Sequence, residues 1–154
     1  MTRQMCHDFY KDFQNDPAIG HYYEFSYSPE WVDNYFDRNC VPDRKLFAII
    51  VDGCIIGECK LKDLDLVKRE CSMGIHLQND LVKGKGYGTQ AERVFLSYAF
   101  DELGMLAVNA DVAKGNARSQ YVLQKVGFRY IGEDAHFLYY RADAKDFVMP
   151  GNGL

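Results

Sequence analysis

Apolar and polar residues along this chain alternate with two periods, and the switches between them mark the elements. Between Met5 and Phe13 the apolar residues recur at helical spacing, and Asp16-Pro17 ends that first helix. His21 to Tyr27 is an aromatic stretch read as extended chain or loop. Ser28-Pro29-Glu30 is an N-cap followed by proline at the first helical position, and it opens a helix to about Arg38. From Lys45 the period becomes that of strands. Lys45 to Val51 and Cys54 to Lys62 flank Asp52-Gly53, a two-residue hairpin signal. Arg69 to Gln78 is a third strand, so Lys45 to Gln78 reads as an antiparallel meander. A long amphipathic helix follows from about Gly88 to Leu103, with Ala91, Val94, Phe95, Tyr98, Ala99 and Leu103 on one face and Gly104 as its stop. Met105 to Ala113 is a fourth strand. Asn116 caps a short helix that carries Val122, Leu123 and Val126 and closes at Gly127. Phe128 to Gly132 and Phe137 to Arg141 are two last strands, the second of which sends Tyr139 and Tyr140 to opposite faces.

The predicted architecture is α+β: helices covering a mostly antiparallel sheet, as one domain over residues 1–154 with a mobile tail from Met149. The 154 residues suffice for a sizeable core. The net charge of −4 argues against bulk nucleic-acid binding and is compatible with a cationic substrate. No apolar run is long enough to span a membrane. The N-terminus, Met-Thr-Arg-Gln-Met-Cys-His-Asp, has no apolar signal core, so a cytoplasmic location is expected. The five cysteines (Cys6, Cys40, Cys54, Cys59, Cys71) and four histidines show no metal-ligand spacing, so reduced thiols and no metal site are expected.

Chemistry concentrates at Lys83-Gly84-Lys85-Gly86-Tyr87-Gly88-Thr89, between the third strand and the long helix. Alternating glycines let the backbone turn tightly and approach a ligand with no Cβ in the way. The amides of such a turn lie at the positive end of the following helix, an arrangement suited to phosphate, and two lysines add charge. The spacing does not fit a P-loop, because Lys85 is followed by Gly86. It does not fit the dinucleotide fingerprint either, because the glycines run Gly-x-Gly-x-Gly after an antiparallel meander.

The loop resembles the acetyl-CoA loop, Gln/Arg-x-x-Gly-x-Gly/Ala, of the GNAT acetyltransferase superfamily, with Lys83 in the first position. Met73-Gly74-Ile75-His76-Leu77 resembles the cofactor strand of that family, and Asn116-x-x-Ser119 followed by Val126-Gly127-Phe128 resembles its second motif. The resemblance spans about Lys45 to Arg141 and is strongest toward the branch similar to ribosomal-protein N-terminal acetyltransferases. It implies a three-layer fold splayed between the fourth and fifth family strands, here Arg69–Gln78 and Met105–Ala113. It implies acetyl-CoA as acyl donor, with the main chain of Ile75, His76 and Leu77 pairing with pantetheine. Amides across Lys83, Gly84, Lys85, Gly86, Tyr87, Gly88 and Thr89 would hold the pyrophosphate, and Asn116 would bond the pantetheine arm. Many family members carry a Tyr seven residues after the Asn as proton donor to the leaving thiolate; that position is Leu123 here, with Tyr121 two residues off. The related branch has a Ser three residues after the Asn, here Ser119. It often has a Glu two residues before the strand Gly, which here is Ser72.

Acyl transfer to an amine requires an ammonium of pKa near ~10 to lose a proton, a polarised thioester carbonyl, and a stabilised or protonated thiolate. Glu70 is the first candidate base and His76 the second, both on the face of Ser72; Ser119 is the candidate thiolate partner. Tyr22, Tyr23, Phe25 and Tyr27 serve either as packing or as one wall of an acceptor pocket. The expected activity is direct acetyl transfer to a primary amine: a protein N-terminus, a small amine or a lysine. A non-catalytic CoA-binding sensor or interaction module of the same fold is the alternative, and a phosphate site for another nucleotide is a third. The expected partners are the amine acceptor and acetyl-CoA, with the chain a monomer or homodimer.

Overall fold

A computed structural model describes residues 1–17, 19 and 24–149 of the chain. The capping signals produce the helix starts they predict. α1 (Arg3–Lys11) begins where the Thr2 side chain accepts from the Met5 amide, and it buries Cys6, Phe9 and Tyr10. α2 (Pro29–Asn39) begins where Ser28 accepts from the Trp31 amide, with Pro29 in its first turn, and it buries Val32, Tyr35 and Asn39. His21, Tyr22 and Tyr23 of the aromatic stretch, and residues 150–154 of the predicted tail, lie outside the described residues.

Six strands form one sheet among the described residues: β1 (Lys45–Val51), β2 (Cys54–Asp65), β3 (Glu70–Leu77), β4 (Ala107–Ala113), β5 (Arg129–Glu133) and β6 (Phe137–Asp143), in the order β1-β2-β3-β4-β6-β5. Asp52 and Gly53 join β1 to β2 with φ of 50° and 78°, the two positive values a type I′ hairpin requires. All neighbours are antiparallel except β3 and β4. That pair is parallel and matches only Glu70 with Ala107, Cys71 with Val108 and Ser72 with Asn109. Beyond Ser72 and Asn109 both strands continue, to Leu77 and Ala113, without pairing to each other. This is the predicted splay.

Strand alternation divides the side chains between two cores. Cys59, Leu61, Cys71 and Met73 face α3 (Tyr87–Ser97) and α4 (Ala117–Val126), where they meet Phe95, Leu96, Ala99, Leu123 and Val126. Leu46 faces the other way, into Cys6, Phe9, Tyr10, Val32 and Tyr35. The sheet therefore has α1 and α2 on one face and α3 and α4 on the other. Tyr140 is buried in the first core while Tyr139 stays at the surface, bonded to Asp134, as the alternation predicts.

The long helix differs from expectation in two ways. Its α-helical part ends at Ser97 and a single π-helical turn, Tyr98–Glu102, completes it. The turn closes with the Leu103 amide on the Tyr98 carbonyl at 3.1 Å, which shifts the register of everything after it. Its buried stripe is also rotated: Ala91, Phe95 and Ala99 are inside as predicted, but Val94 is 56% exposed while Glu92 and Leu96 are buried. Val94-Phe95-Leu96 is a continuous apolar run, so periodicity allows either flank of Phe95 to face inward, and contact with the sheet selects Leu96.

Gly57 lets β2 lie close against β3. A Cβ built on it would stand 2.7 Å from the His76 carbonyl oxygen, which is backbone and cannot swing aside. Gly57→Ala is therefore expected to cost about 1–3 kcal/mol in urea unfolding, and to shift the amide resonances of His76 and Leu77 more than those of β5 and β6.

Candidate active site

Because β3 and β4 part after Ser72, a cleft of about 300 Å³ opens through the sheet, continuous with a second hollow of about 150 Å³ that shares Lys60, Ile75, His76, Glu92, Asn116 and Ser119. Ile75, His76 and Leu77 line the first hollow, with the strand edge that β4 leaves unpaired turned toward β4's side. An extended, amide-bearing ligand can occupy such an edge as an added strand.

At one end stands the glycine loop. Gly84 and Gly86 have φ of 75° and 86°, and the space where a Cβ would project is open over both. Gly86 caps α3 with no side chain bonded to the first turn, so the amides of Tyr87, Gly88 and Thr89 lack intrahelical acceptors. These amides have the backbone geometry that the loop spacing predicts. The two lysines differ: Lys83 Nζ is held by Asp80 at 3.2 Å and Asp16 at 3.4 Å, while Lys85 is exposed. Lys83 thus ties the loop down, and Lys85 carries the exposed positive charge there.

Across the splay, Asn116 starts α4 by accepting the Ser119 amide at 3.1 Å. Asn116 and Ser119 line both hollows, so the cap geometry that begins the helix also sets these two side chains at the cleft.

At the other end Tyr10, Phe13, Phe25, Trp31 and Tyr35 form an aromatic wall, with Trp31 and Tyr35 stacked at 5.0 Å. Phe25 packs in the second core and also lines the cleft, where the acceptor-wall reading would place it; Tyr27 packs in that core and bonds His7. Beneath the wall lies Glu58, which is 1% exposed. It stands directly opposite His76 in the β2–β3 register, so both side chains rise on the same face. Glu58 Oε1 accepts from Tyr10 Oη at 2.8 Å and Tyr35 Oη at 2.6 Å and lies 3.3 Å from His76 Nδ1. Burial pushes the Glu58 carboxyl up, but the bonds from His76 and Tyr35 and the nearby Lys60 outweigh it and hold the group below its ordinary value. The same carboxylate, with burial, raises the Tyr10 and Tyr35 hydroxyls, which stay protonated as donors. His76 is thus a cleft imidazole seated on a buried anion.

Glu70 stands elsewhere. It opens β3 at the paired end of the β3–β4 contact, accepts from Arg141 at 2.9 Å, and lines neither hollow. The Arg141 bond holds its carboxyl below the ordinary value. It shares a strand face with Ser72 and His76 as predicted, yet the twist and parting of the strands leave it outside the cleft.

Sequence reasoning passed over Glu58, Lys60 and Glu92. For Glu58 a signal existed: a lone charge between Ile55-Ile56-Gly57 and Cys59 in a strand with two covered faces. For Glu92 the signal was hidden by the rotated stripe of α3. It is 2% exposed, lines both hollows, and its Oε2 has no hydrogen-bond partner among the described residues. Burial alone raises its carboxyl to about 8. An acid whose folded pKa exceeds its unfolded value holds its proton more tightly when folded. The resulting stability is complete below about pH 4.5, falls as pH rises, and is lost by about pH 8. Glu92→Gln is expected to remove a decline on the order of 4 kcal/mol, seen by comparing urea melts of both proteins at either end of that window.

The acetyltransferase (GNAT) domain family matches residues 2–129. The chain is 31% identical over 136 residues to YdaF of Bacillus subtilis (strain 168), a protein named provisionally as a ribosomal N-acetyltransferase; the match covers 88% of this chain and 72% of that one. Its fold is similar to spermidine N-acetyltransferase from Vibrio cholerae solved with CoA and spermine, with TM-score 0.81, 15% identity and coverage of 95% and 94%. It is also similar to N-acetyltransferase PseH of Campylobacter jejuni solved with acetyl coenzyme A, with TM-score 0.62, 23% identity and coverage of 74% and 75%. The loop, the splay and the capped Asn116 fit an acetyl-CoA co-substrate, and the chain belongs to the GNAT acetyltransferase family.

Proposed function

We propose that this enzyme transfers an acetyl group from acetyl-CoA directly to a primary amine, with both substrates in the cleft together. The observation that carries this reading is the through-going cleft: one opening runs from the glycine loop and Asn116 to the aromatic wall and His76. Two substrates entering from opposite sides of the sheet can meet there without a covalent enzyme intermediate.

Acetyl-CoA supplies the thioester. The amides of Tyr87, Gly88 and Thr89, with Lys85, hold its pyrophosphate. The main chain of Ile75, His76 and Leu77 pairs with its arm, and Asn116 bonds that arm from α4. Amides at this strand edge also polarise the carbonyl that is attacked. His76 takes the proton from the acceptor nitrogen, and Glu58, in contact with Nδ1, holds the imidazole in place. Tyr10 and Tyr35 act through Glu58 by fixing its orientation.

The acceptor enters over the aromatic wall. Ring faces attract a cationic amine before it is deprotonated, and Glu24 at the same mouth adds negative charge. A protein N-terminus, a small amine and a lysine side chain all satisfy this chemistry. The Bacillus relative's name points to a ribosomal protein and the Vibrio structure holds spermine, which supports an amine acceptor as the class. No helix among the described residues is long and apolar enough to cross a membrane, and the five cysteines are all free, which suits a reducing cytoplasm.

Calorimetric titration is expected to show binding of acetyl-CoA and not of ATP or NAD. Gly86→Val should abolish that binding while the protein stays folded, since valine disfavours the left-handed backbone and its side chain fills the approach. Unchanged affinity in a folded variant would refute the cradle. His76→Ala is expected to lower kcat about 10²-fold or more with little change in acetyl-CoA affinity; thiol release measures the first and calorimetry the second.

A further inference from the structure

Glu92 breaks the polarity pattern of α3 at the position where it matters most. It lies one turn beyond Gly88 on the face turned to the sheet, and both residues line the cleft. It shares the second hollow with apolar Met73, Ile75, Ala110, Val112 and Leu123 as well as with polar side chains, and its burial favours a neutral carboxylic acid. A carboxyl buried with one oxygen unpartnered destabilises a fold, so nothing in the packing of α3 accounts for it.

We propose that Glu92 is the proton donor to the departing thiolate, a role that rests on reading the cleft as the site of acetyl transfer. As the acceptor nitrogen bonds to the thioester carbon, the carbon–sulfur bond breaks, and its electron pair stays on sulfur. The carboxyl proton of Glu92 passes to that sulfur, giving the free thiol. The proton lost by the nitrogen passes to His76, and solvent exchange restores both groups between turnovers. Leu123, which shares the hollow, has no proton to give, and the Ser119 hydroxyl gives one far less readily than a carboxylic acid. Ser119 then serves as a hydrogen-bond partner. Burial places the Glu92 acid at about 8, close to the ~8.5 of an ordinary thiol, so the transfer is nearly balanced.

Other titratable or charged groups face the same cleft: Lys60 and Lys62 from β2, His76 from β3, Asp111 from β4 and Arg118 from α4, with Cys59 of β2 close behind and held neutral by burial. The test must therefore isolate Glu92. Glu92→Gln and Glu92→Leu are compared with the wild type, using acetyl-CoA with spermine and with a short peptide bearing a free N-terminus. Both variants should melt no lower than the wild type and bind acetyl-CoA within about threefold of it, while kcat falls about 10²-fold or more. The wild-type kcat should decline above about pH 8, and that limb should be absent in both variants. Infrared spectra of the unliganded wild type near neutral pH should show a carboxylic-acid band that Glu92→Gln lacks. An active wild type with equal kcat and equal pH profile in the variants would overturn the role of Glu92 and leave the acetyl-transfer reading intact. So would weakened acetyl-CoA binding at unchanged kcat, or a missing infrared band. A wild type that acetylates neither amine would overturn both.

Discussion

Parallel pairing between β3 and β4 stops after three residue pairs, and the rest of the site depends on that stop. A sheet interior ordinarily satisfies its own amides and carbonyls. Where two central strands part, one edge of each is left to an outside partner, and the gap between them joins the two faces of the sheet. The glycine loop and Asn116 take their positions from the same parting, because α3 follows β3 and α4 follows β4. The α1–α2 layer then closes one mouth with aromatic rings. The cleft is thus a consequence of where hydrogen bonding ends rather than of any single side chain.

Three glutamates show how strongly such a frame differentiates one residue type. Glu70, where the strands are still paired, meets an arginine and is held ionised as an ordinary structural ion pair. Glu58 is buried, yet hydroxyl and imidazole donors surround one of its oxygens and keep it below its ordinary value. Glu92 is buried with no such donors, and it rises. Identical chemistry in the free side chain becomes an anchor, an oriented anion and a neutral acid. The two buried ones lie on opposite faces of the sheet, beside the gap.

The loop lysines teach a related lesson. Lys83 and Lys85 are equivalent in the sequence as cations in the glycine loop. In the fold Lys83 is drawn to Asp16 and Asp80, so the loop is fastened to the segment after α1 and most of its positive character comes from Lys85 and the helix amides.

Much of the fold was legible in the chain because the signals are local. Thr2, Ser28 and Asn116 cap helices through their own side chains, Asp52-Gly53 dictates a hairpin through positive φ, and Gly84 and Gly86 adopt the left-handed backbone that their lack of a Cβ permits. Each depends on a few neighbouring residues, so order and spacing in the sequence suffice to read them, and the family resemblance follows from the same spacings. The sequence by itself thus determined the elements, the open glycine loop, the cap at Asn116 and the kind of co-substrate. Only the tertiary structure decided which carboxylates stand at the cleft and in which state. Glu70 was excluded by an arginine 71 residues away, Glu58 was selected by tyrosines 48 and 23 residues away, and Glu92 was turned inward by which flank of Phe95 met the sheet. Protonation depends on burial and on distant partners, and neither exists until the chain has folded.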